Sequence, residues 1–277
     1  WRDQSEQAAA RLSLNLGRAF GEERAVRLIL SAHDIDQEIP GSVTLAQALS
    51  DPRAANPGNL ANNYQRDMQA VRGALQSRWR LTPSTTLEGG VYATWKNLDH
   101  PIFQVLDQQS LNTGAFARFD WRGEVVGRQA DVFYGGYYRR GDMDALQYVN
   151  VRGQKGALRA DSDQRADGLD LFAEGRLFVT ERLAVIAGGS YGRATRDYQS
   201  YVVAAAPASF ALARKVDYDW FAPRLGLLWQ AEDGAQAYAN LTRSVEPPNF
   251  SSLSPTAAGF TLLAPQEAWT AEVGARG

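Results

Sequence analysis

Three groups of residues have the types and spacing that chemistry uses. Gly188-Gly-Ser-Tyr-Gly192 has the spacing of a nucleophile elbow, which needs a strand-turn-helix corner and a histidine later in the chain. The only histidines, His33 and His100, both precede Ser190. The stretch around Ser190 alternates like a strand and no helical pattern follows it. The plainer reading is therefore a run of small residues where strand and interior contents pack closely. Asp161, Asp163 and Asp167, with Asp142 and Asp144, could form a calcium loop, but Arg165 stands where an EF-hand requires an oxygen ligand. A solvated extracellular loop explains these aspartates more simply. His33 with Asp34 and Asp36 has no second histidine nearby, so no metal site is assigned. Cysteine is absent, which removes disulfides and thiolate metal sites, and no Walker-type phosphate loop occurs. These residues point to no covalent chemistry, no resident cofactor and no enzyme.

The elements that would position any of these residues follow a period of two. From Ala8 one face reads Ala8, Ala10, Leu12, Leu14, Leu16 and the other Ala9, Arg11, Ser13, Asn15, Gly17. Val71, Gly73, Leu75, Ser77, Trp79, Leu81 oppose Arg72, Ala74, Gln76, Arg78, Arg80. Leu169, Leu171, Ala173, Gly175, Leu177 oppose Asp170, Phe172, Glu174, Arg176. Such alternation marks strands with two different faces. A net charge of −2 gives no reason to invoke nucleic acid. No apolar run approaches the ~20 residues of a membrane-spanning helix. The mean hydropathy of −0.36 is what a soluble protein has. It is equally what a barrel with a polar interior has, because only alternate residues face lipid.

The connections alternate as well. Short ones sit at Gly21–Glu23, Thr82–Thr85, Arg122–Gly127, Thr180–Arg182 and Glu232–Ala235. Long ones sit at Gln37–Gln65, Leu98–Leu111, Gly141–Asp163, Ser200–Arg214 and Glu246–Pro265. Ten connections imply 11 strands of 10–17 residues, longer than the ~5–6 of soluble sheets and sufficient for the ~9–11 that tilted membrane spanning requires. Phe20, Trp79, Trp121 and Trp229 lie beside short turns, where an interfacial girdle belongs. The expected fold is all-β: an antiparallel transmembrane β-barrel segment of about 11 long strands in a Gram-negative outer membrane, short turns periplasmic. A soluble sandwich or lipocalin-like barrel is the alternative. Thr44-Leu-Ala-Gln-Ala-Leu-Ser50 reads as a short helix capped by Thr44.

One parity collects the charges. Arg11, Arg27, Arg72, Arg78, Arg80, Glu88, Lys96, Arg118, Asp120, Asp131, Asp170, Glu174, Arg176, Arg224, Glu272 and Arg276 should all face the lumen, since in lipid they would be prohibitive. Near the long-loop ends, Tyr137, Arg139, Arg196 and Tyr198 share that parity, with Arg140, Tyr148, Arg152 and Tyr201 at or in the adjoining loops. Arginine with tyrosine suits an anionic, aromatic-rich ligand such as a ferric chelate. Tyrosine at that height also fits an outer aromatic girdle.

Four segments resemble consecutive parts of TonB-dependent outer-membrane receptors. They are Trp220-Phe-Ala-Pro-Arg-Leu-Gly-Leu-Leu-Trp229, Ala237-Tyr-Ala-Asn-Leu-Thr-Arg-Ser-Val-Glu-Pro-Pro-Asn-Phe250, Ala264-Pro-Gln-Glu-Ala-Trp-Thr-Ala-Glu-Val-Gly-Ala-Arg-Gly277, and the pair Leu171-Phe-Ala-Glu-Gly-Arg-Leu with Leu183-Ala-Val-Ile-Ala-Gly-Gly. The loop from Pro40 to Arg53 resembles one found in many iron-complex members. The resemblance implies a plugged barrel of ~22 strands, of which this chain would be an internal segment. Residues 1–277 would be part of one barrel domain, with the plug, the TonB box, a signal peptide and C-terminal strands elsewhere. It implies a monomeric receptor-transporter importing a scarce nutrient, a ferric siderophore or other iron complex first among them, with the TonB complex acting through the plug. In that reading the inward charges hold the plug; in a passive porin they would only solvate the lumen. An outer-membrane hydrolase is disfavoured by the histidine positions.

Overall fold

Alternation carried over this length folds as one continuous sheet. A computed structural model describes residues 2–204, 206–232 and 234–277. The strands are β1 (Gln7–Phe20), β2 (Arg24–Gln37), β3 (Asp67–Thr82), β4 (Thr85–Pro101), β5 (Gln104–Val125), β6 (Arg128–Val151), β7 (Gln154–Phe178), β8 (Leu183–Tyr201), β9 (Leu212–Gln230), β10 (Gln236–Glu246) and β11 (Gln266–Arg276). Each pairs antiparallel with its sequence neighbours, giving a single 11-stranded meander in the order β1 to β11. Three short helices lie in loops: α1 (Leu45–Ser50), α2 (Pro57–Ala61) and α3 (Phe250–Leu253). The helix expected at Thr44 forms as a capping box, with Gln47 as its reciprocal partner.

The cross-strand registers put all 16 charges of the expected lumen set on one face. That face is concave, because side chains from β4 through β10 converge on one hollow. The convex face carries an apolar belt. On β7, β8 and β9 it runs over Leu169–Leu177, Leu183–Tyr191 and Phe221–Trp229, 9 residues each, within the ~9–11 that a tilted transmembrane strand needs. Its large side chains stand in the open; Leu225 is 57% and Phe221 56% exposed. Such exposure is unfavourable in water, at ~25 cal/mol per Å², and favourable in lipid. Phe20, Trp79, Trp121 and Trp229 all sit on this face beside short turns.

The belt ends sharply at its other edge. The next outward residue past Tyr138, Leu169, Tyr191, Phe221 and Leu241 is Arg140, Asp167, Arg193, Asp219 and Arg243 respectively. Beyond that line the strands continue, which corrects two expected loops. Gly141–Asp163 is not a long loop: β6 and β7 extend through it, 24 and 25 residues long, and join at Arg152-Gly153. Both turn residues have positive φ (54° and 87°), the backbone of a tight type I′ hairpin. Leu98–Leu111 likewise shrinks to a turn at Ile102 and Phe103. Charge on both faces hid these extensions, because a strand that has left the membrane no longer needs an apolar outer face. Asp233, in the expected turn Glu232–Ala235, and Ala205, in the expected loop Ser200–Arg214, lie outside the described residues.

The long loop between β2 and β3 is held by backbone and amide hydrogen bonds. Asn150 Nδ2 donates to Asn62 O at 3.1 Å and to Ile102 O at 2.5 Å, while its Oδ1 accepts from Gly153 N at 2.7 Å. One asparagine thereby ties together the β2–β3 loop, the β4–β5 turn and the β6–β7 turn.

Candidate functional site

The concave wall has two zones. Nearer the short turns its carboxylates are spoken for. Arg78 Nε lies 3.4 Å from Glu88, Arg118 Nη2 2.6 Å from Asp120, and Arg224 Nη1 3.0 Å from Glu174. Arg176 binds Asp131, which Arg122 also approaches at 3.8 Å. Tyr238 Oη donates to Glu272 at 3.2 Å, and Arg276 Nε donates to Gln236 at 2.7 Å. Most of these pairs bridge neighbouring strands on one face, so each supports sheet register.

Toward the long loops the wall opens into a hollow of about 650 Å³. Tyr92, Asn112, Arg139, Asp170, Ser190, Arg196 and Trp220 face it from β4 to β9. Two of its aromatic rings lie flat against the sheet because the cross-strand neighbour is glycine. Trp220 is paired with Gly192, and a Cβ at Gly192 would collide with the indole ring. Tyr92 lies over Gly114 in the same way. Arg72, expected among the lumen charges, places its guanidinium 6.0 Å from the Tyr92 ring centre, at the limit of cation–π range. Ser190 lines the hollow from mid-strand, with Phe172 and Ala222 as cross-strand neighbours. Neither is a base, which supports the bland reading of the Gly-Ser-Tyr-Gly run.

The expected ligand residues separate. Arg139 and Arg196 both line the hollow. Arg139 Nη2 binds Asp170 at 2.5 Å. Arg196 has no carboxylate within ion-pair distance among the described residues; its Nε donates to Pro248 O and its Nη1 to Thr195 O, each at 3.0 Å. Burial pulls the Arg196 guanidinium below its usual range, nearby Arg139 acts the same way, and Tyr218 opposes them. Tyr198 shares the face but is buried, with its ring against Phe250 at 6.4 Å and Phe260 at 5.8 Å. It holds the β10–β11 loop inward, so it is an anchor for that loop. Tyr137 stacks on Phe116 and meets Phe172 at a tilt, as part of the wall.

Arg140 also borders the hollow, but it is mid-strand in β6 and not in a loop. It stands on the convex face, donating from Nε to Asp142 at 2.8 Å. Arg165 Nε meets the same carboxylate at 2.6 Å, and the pair, Arg140 first, holds Asp142 down at about 2. Tyr201 also faces outward, donating to Asp163 at 2.7 Å. Asp161, which burial raises first and Asp163 and Asp144 raise further, completes an acidic outer wall. The aspartate run is therefore strand surface, not a calcium loop.

Sequence reasoning missed Tyr92, Asn112 and Trp220. The signal that could have found the two ring positions is a glycine opposite an aromatic, which becomes visible only once register is known.

Known proteins narrow the reading. The family described as TonB dependent receptor-like, beta-barrel, matches residues 36–277. No curated protein sequence matches. Among solved structures, the ferric citrate transporter FecA in its unliganded form gives a TM-score of 0.83 at 14% identity, covering 100% of this chain and 42% of FecA. The closed ferric-catecholate import receptor Fiu of E. coli gives 0.76 at 12% identity, covering 99% and 49%. The copper transporter OprC gives 0.70 at 14%, covering 98% and 43%. At these identities the likeness is one of fold, and the chain spans less than half the length of each structure.

Proposed function

The chain belongs to the TonB-dependent receptor-like β-barrel family, and from that premise we propose that it serves an outer-membrane receptor-transporter for energy-coupled uptake of an anionic iron complex. The family is one of receptors rather than enzymes. The observation that carries the ligand reading is the upper hollow. There the guanidinium of Arg196, free of any carboxylate, and that of Arg139 converge with flat-lying Tyr92 and Trp220. Guanidinium groups suit the carboxylate or phenolate oxygens of a ferric chelate, and aromatic faces suit its organic shell.

The charge-paired lower wall fits a surface that holds a plug. Its pairs are exposed enough to exchange partners, and a plug could borrow them one at a time without leaving a carboxylate stranded. TonB, pulling on that plug from the inner membrane side, would supply the energy, and the barrel would act as a monomer in outer-membrane lipid. OprC carries copper on the same fold, so the iron assignment rests on this hollow and not on the fold.

The decisive experiment is uptake of ⁵⁵Fe presented as a carboxylate or catecholate siderophore by iron-starved cells carrying or lacking the full-length gene. The expected result is uptake that needs the gene, stops with a protonophore, and is weakened about tenfold by Arg139→Gln, one lost charge-assisted contact. Gene-dependent uptake that ignores the protonophore would convert the protein into a passive porin.

A further inference from the structure

The inward charges are not spread evenly round the wall. Of the 16, β1 to β4 hold six cations, Arg11, Arg27, Arg72, Arg78, Arg80 and Lys96, and one carboxylate, Glu88. The other nine, on β5 to β11, are four arginines and five carboxylates. Pairing repeats the division. Arg118, Arg176 and Arg224 bind Asp120, Asp131 and Glu174. On the β1–β4 arc only Arg78 meets a carboxylate, Glu88, at 3.4 Å. Arg11, Arg27, Arg80 and Lys96 make no ion pair or side-chain hydrogen bond among the described residues, and Arg72 has only the Tyr92 ring. All five arginines of this arc are exposed on the concave face.

Register orders these cations by height. Arg11 pairs with His33, which pairs with Ala70, and Lys96 pairs with Ala70 from the other side. Arg27 pairs with Gln76. Along β3 the charges therefore stand at the levels of residues 70, 72, 76, 78 and 80, over ~33 Å of strand. The ladder begins beside the hollow, where Arg72 lies by Tyr92, and ends beside the short turn after Thr82. Part-way down, the wall is recessed by about 530 Å³, because Gly17, Ala19 and Ala25 put little bulk next to Arg27 and Arg78. A column of like charge repels itself, and sheets normally offset such charges across strands. The β5–β11 arc does so and offers an anion no net attraction. Passage through a pore needs sites that are several and weak rather than single and tight. Unpaired guanidinium groups at steps of two to four residues meet that need.

We propose that the β1–β4 arc is the track along which an anionic iron complex descends from the hollow toward the short turns once the plug is displaced. The inference rests on the receptor reading and adds the route through the barrel. It divides the wall by task. The paired arc of β5 to β11 bears the plug, and the unpaired arc passes the cargo.

The test uses intact cells making the full-length receptor, with ⁵⁵Fe given as ferric citrate, as an anionic ferric tricatecholate or as a neutral ferric trihydroxamate. Arg27 and Arg80 do not line the hollow, so Arg27→Gln/Arg80→Gln should keep wild-type affinity for the anionic complex in de-energised cells. Its maximal uptake rate should fall about tenfold. Arg27→Glu/Arg80→Glu should fall further. Arg27→Lys/Arg80→Lys should recover most of the rate, because the track needs charge and not the guanidinium shape. Equal rates for wild type and the glutamate variant overturn the track. Equal losses in the glutamine and lysine variants overturn it too, by making both arginines packing residues. A loss of affinity that accounts for the whole loss of rate assigns them to capture, against the track. Energy-independent entry of a large hydrophilic antibiotic into cells with the glutamine variant would mean that these arginines hold the plug, and would also overturn it. Wild-type cells that import only the neutral complex refute an anion track while leaving the receptor intact. Wild-type cells that import none of the three by an energy-dependent route strike the receptor reading itself.

Discussion

An indole can lie flat on a sheet only where its cross-strand neighbour lacks a Cβ, and the pairing of Trp220 with Gly192 makes the width of the hollow depend on one hydrogen atom. Gly192→Val would lift the ring off the wall and into the space that ligand would use. The strain of overpacking is about 1–3 kcal/mol, tolerable in a large barrel, so the effect should appear in binding. We expect affinity for ferric citrate to fall tenfold or more in full-length Gly192→Val. Adding Trp220→Ala should recover most of that loss by restoring the space. If the single variant binds normally, or if the double variant is no better, Trp220 does not define the hollow. At this scale the sequence was readable only in part. The parity of Arg139 and Arg196 follows from counting by two, and both line the hollow. Tyr198 has the same parity, yet it is spent on Phe250 and Phe260, a contact between residues 52 and 62 positions apart that no local pattern announces. Composition puts Arg140 at or in a loop; its partner Asp142 is only two residues away and belongs to the same strand face.

The strand is the unit that decides which neighbour meets lipid. Leu225 and Arg224 are adjacent in β9 and answer to different solvents. Leu225 sits at the middle of the belt segment Phe221–Trp229, while Arg224 reaches Glu174 across the lumen wall at 3.0 Å. Leu225→Arg should lower the unfolding free energy of the full-length barrel in lipid vesicles by ~2–4 kcal/mol, the usual penalty for a cation at the bilayer midplane. Arg224→Gln should cost about 1 kcal/mol, since the pair is partly solvated and its loss leaves a hydrated carboxylate. Urea titrations followed by tryptophan fluorescence would measure both. Comparable losses for the two variants would refute the assignment of faces. The count of strands, their order and the short turns were legible, because lipid on one side and lumen on the other enforce strict alternation. The lengths of β5, β6 and β7 were not. Above the belt both faces meet water, alternation loses its physical cause, and Asp142, Asp144, Asp161 and Asp163 read as loop although they remain hydrogen-bonded strand.

Across the whole molecule the charges are sorted by side as well as by height. Above the belt, the outer wall of β6 to β9 carries the eight aspartates 142, 144, 161, 163, 167, 197, 217 and 219, which outnumber its cations Arg140, Lys155, Arg165, Arg193 and Lys215. Around the upper edge of the belt the inner wall carries Arg72, Lys96, Arg139, Arg196 and Arg214 against Asp170 and Glu246. An anion is thus repelled by the outside of the rim and attracted to its inside, a field that steers it into the lumen over about a Debye length, roughly 8 Å in physiological salt. This sorting exists only if the belt ends where the charges begin, and the chain offers a clean way to find that line. It contains no cysteine, so a single introduced thiol is the only one this segment reports. On β7 the outward positions are Arg165, Asp167, Leu169 and Leu171, with the boundary between Asp167 and Leu169. In intact cells making the full-length receptor, with any native cysteines replaced, a charged, membrane-impermeant maleimide should modify Arg165→Cys and Asp167→Cys quickly. Leu169→Cys should react slowly, at the headgroup level, and Leu171→Cys should not react at all, because a thiol in hydrocarbon forms no thiolate. Rapid modification of Leu171→Cys would place the belt lower on the strand and dissolve the coincidence between lipid edge and charge reversal. Protection of Asp167→Cys would bury the upper hairpin in protein or lipid and leave the acidic wall with nothing to repel.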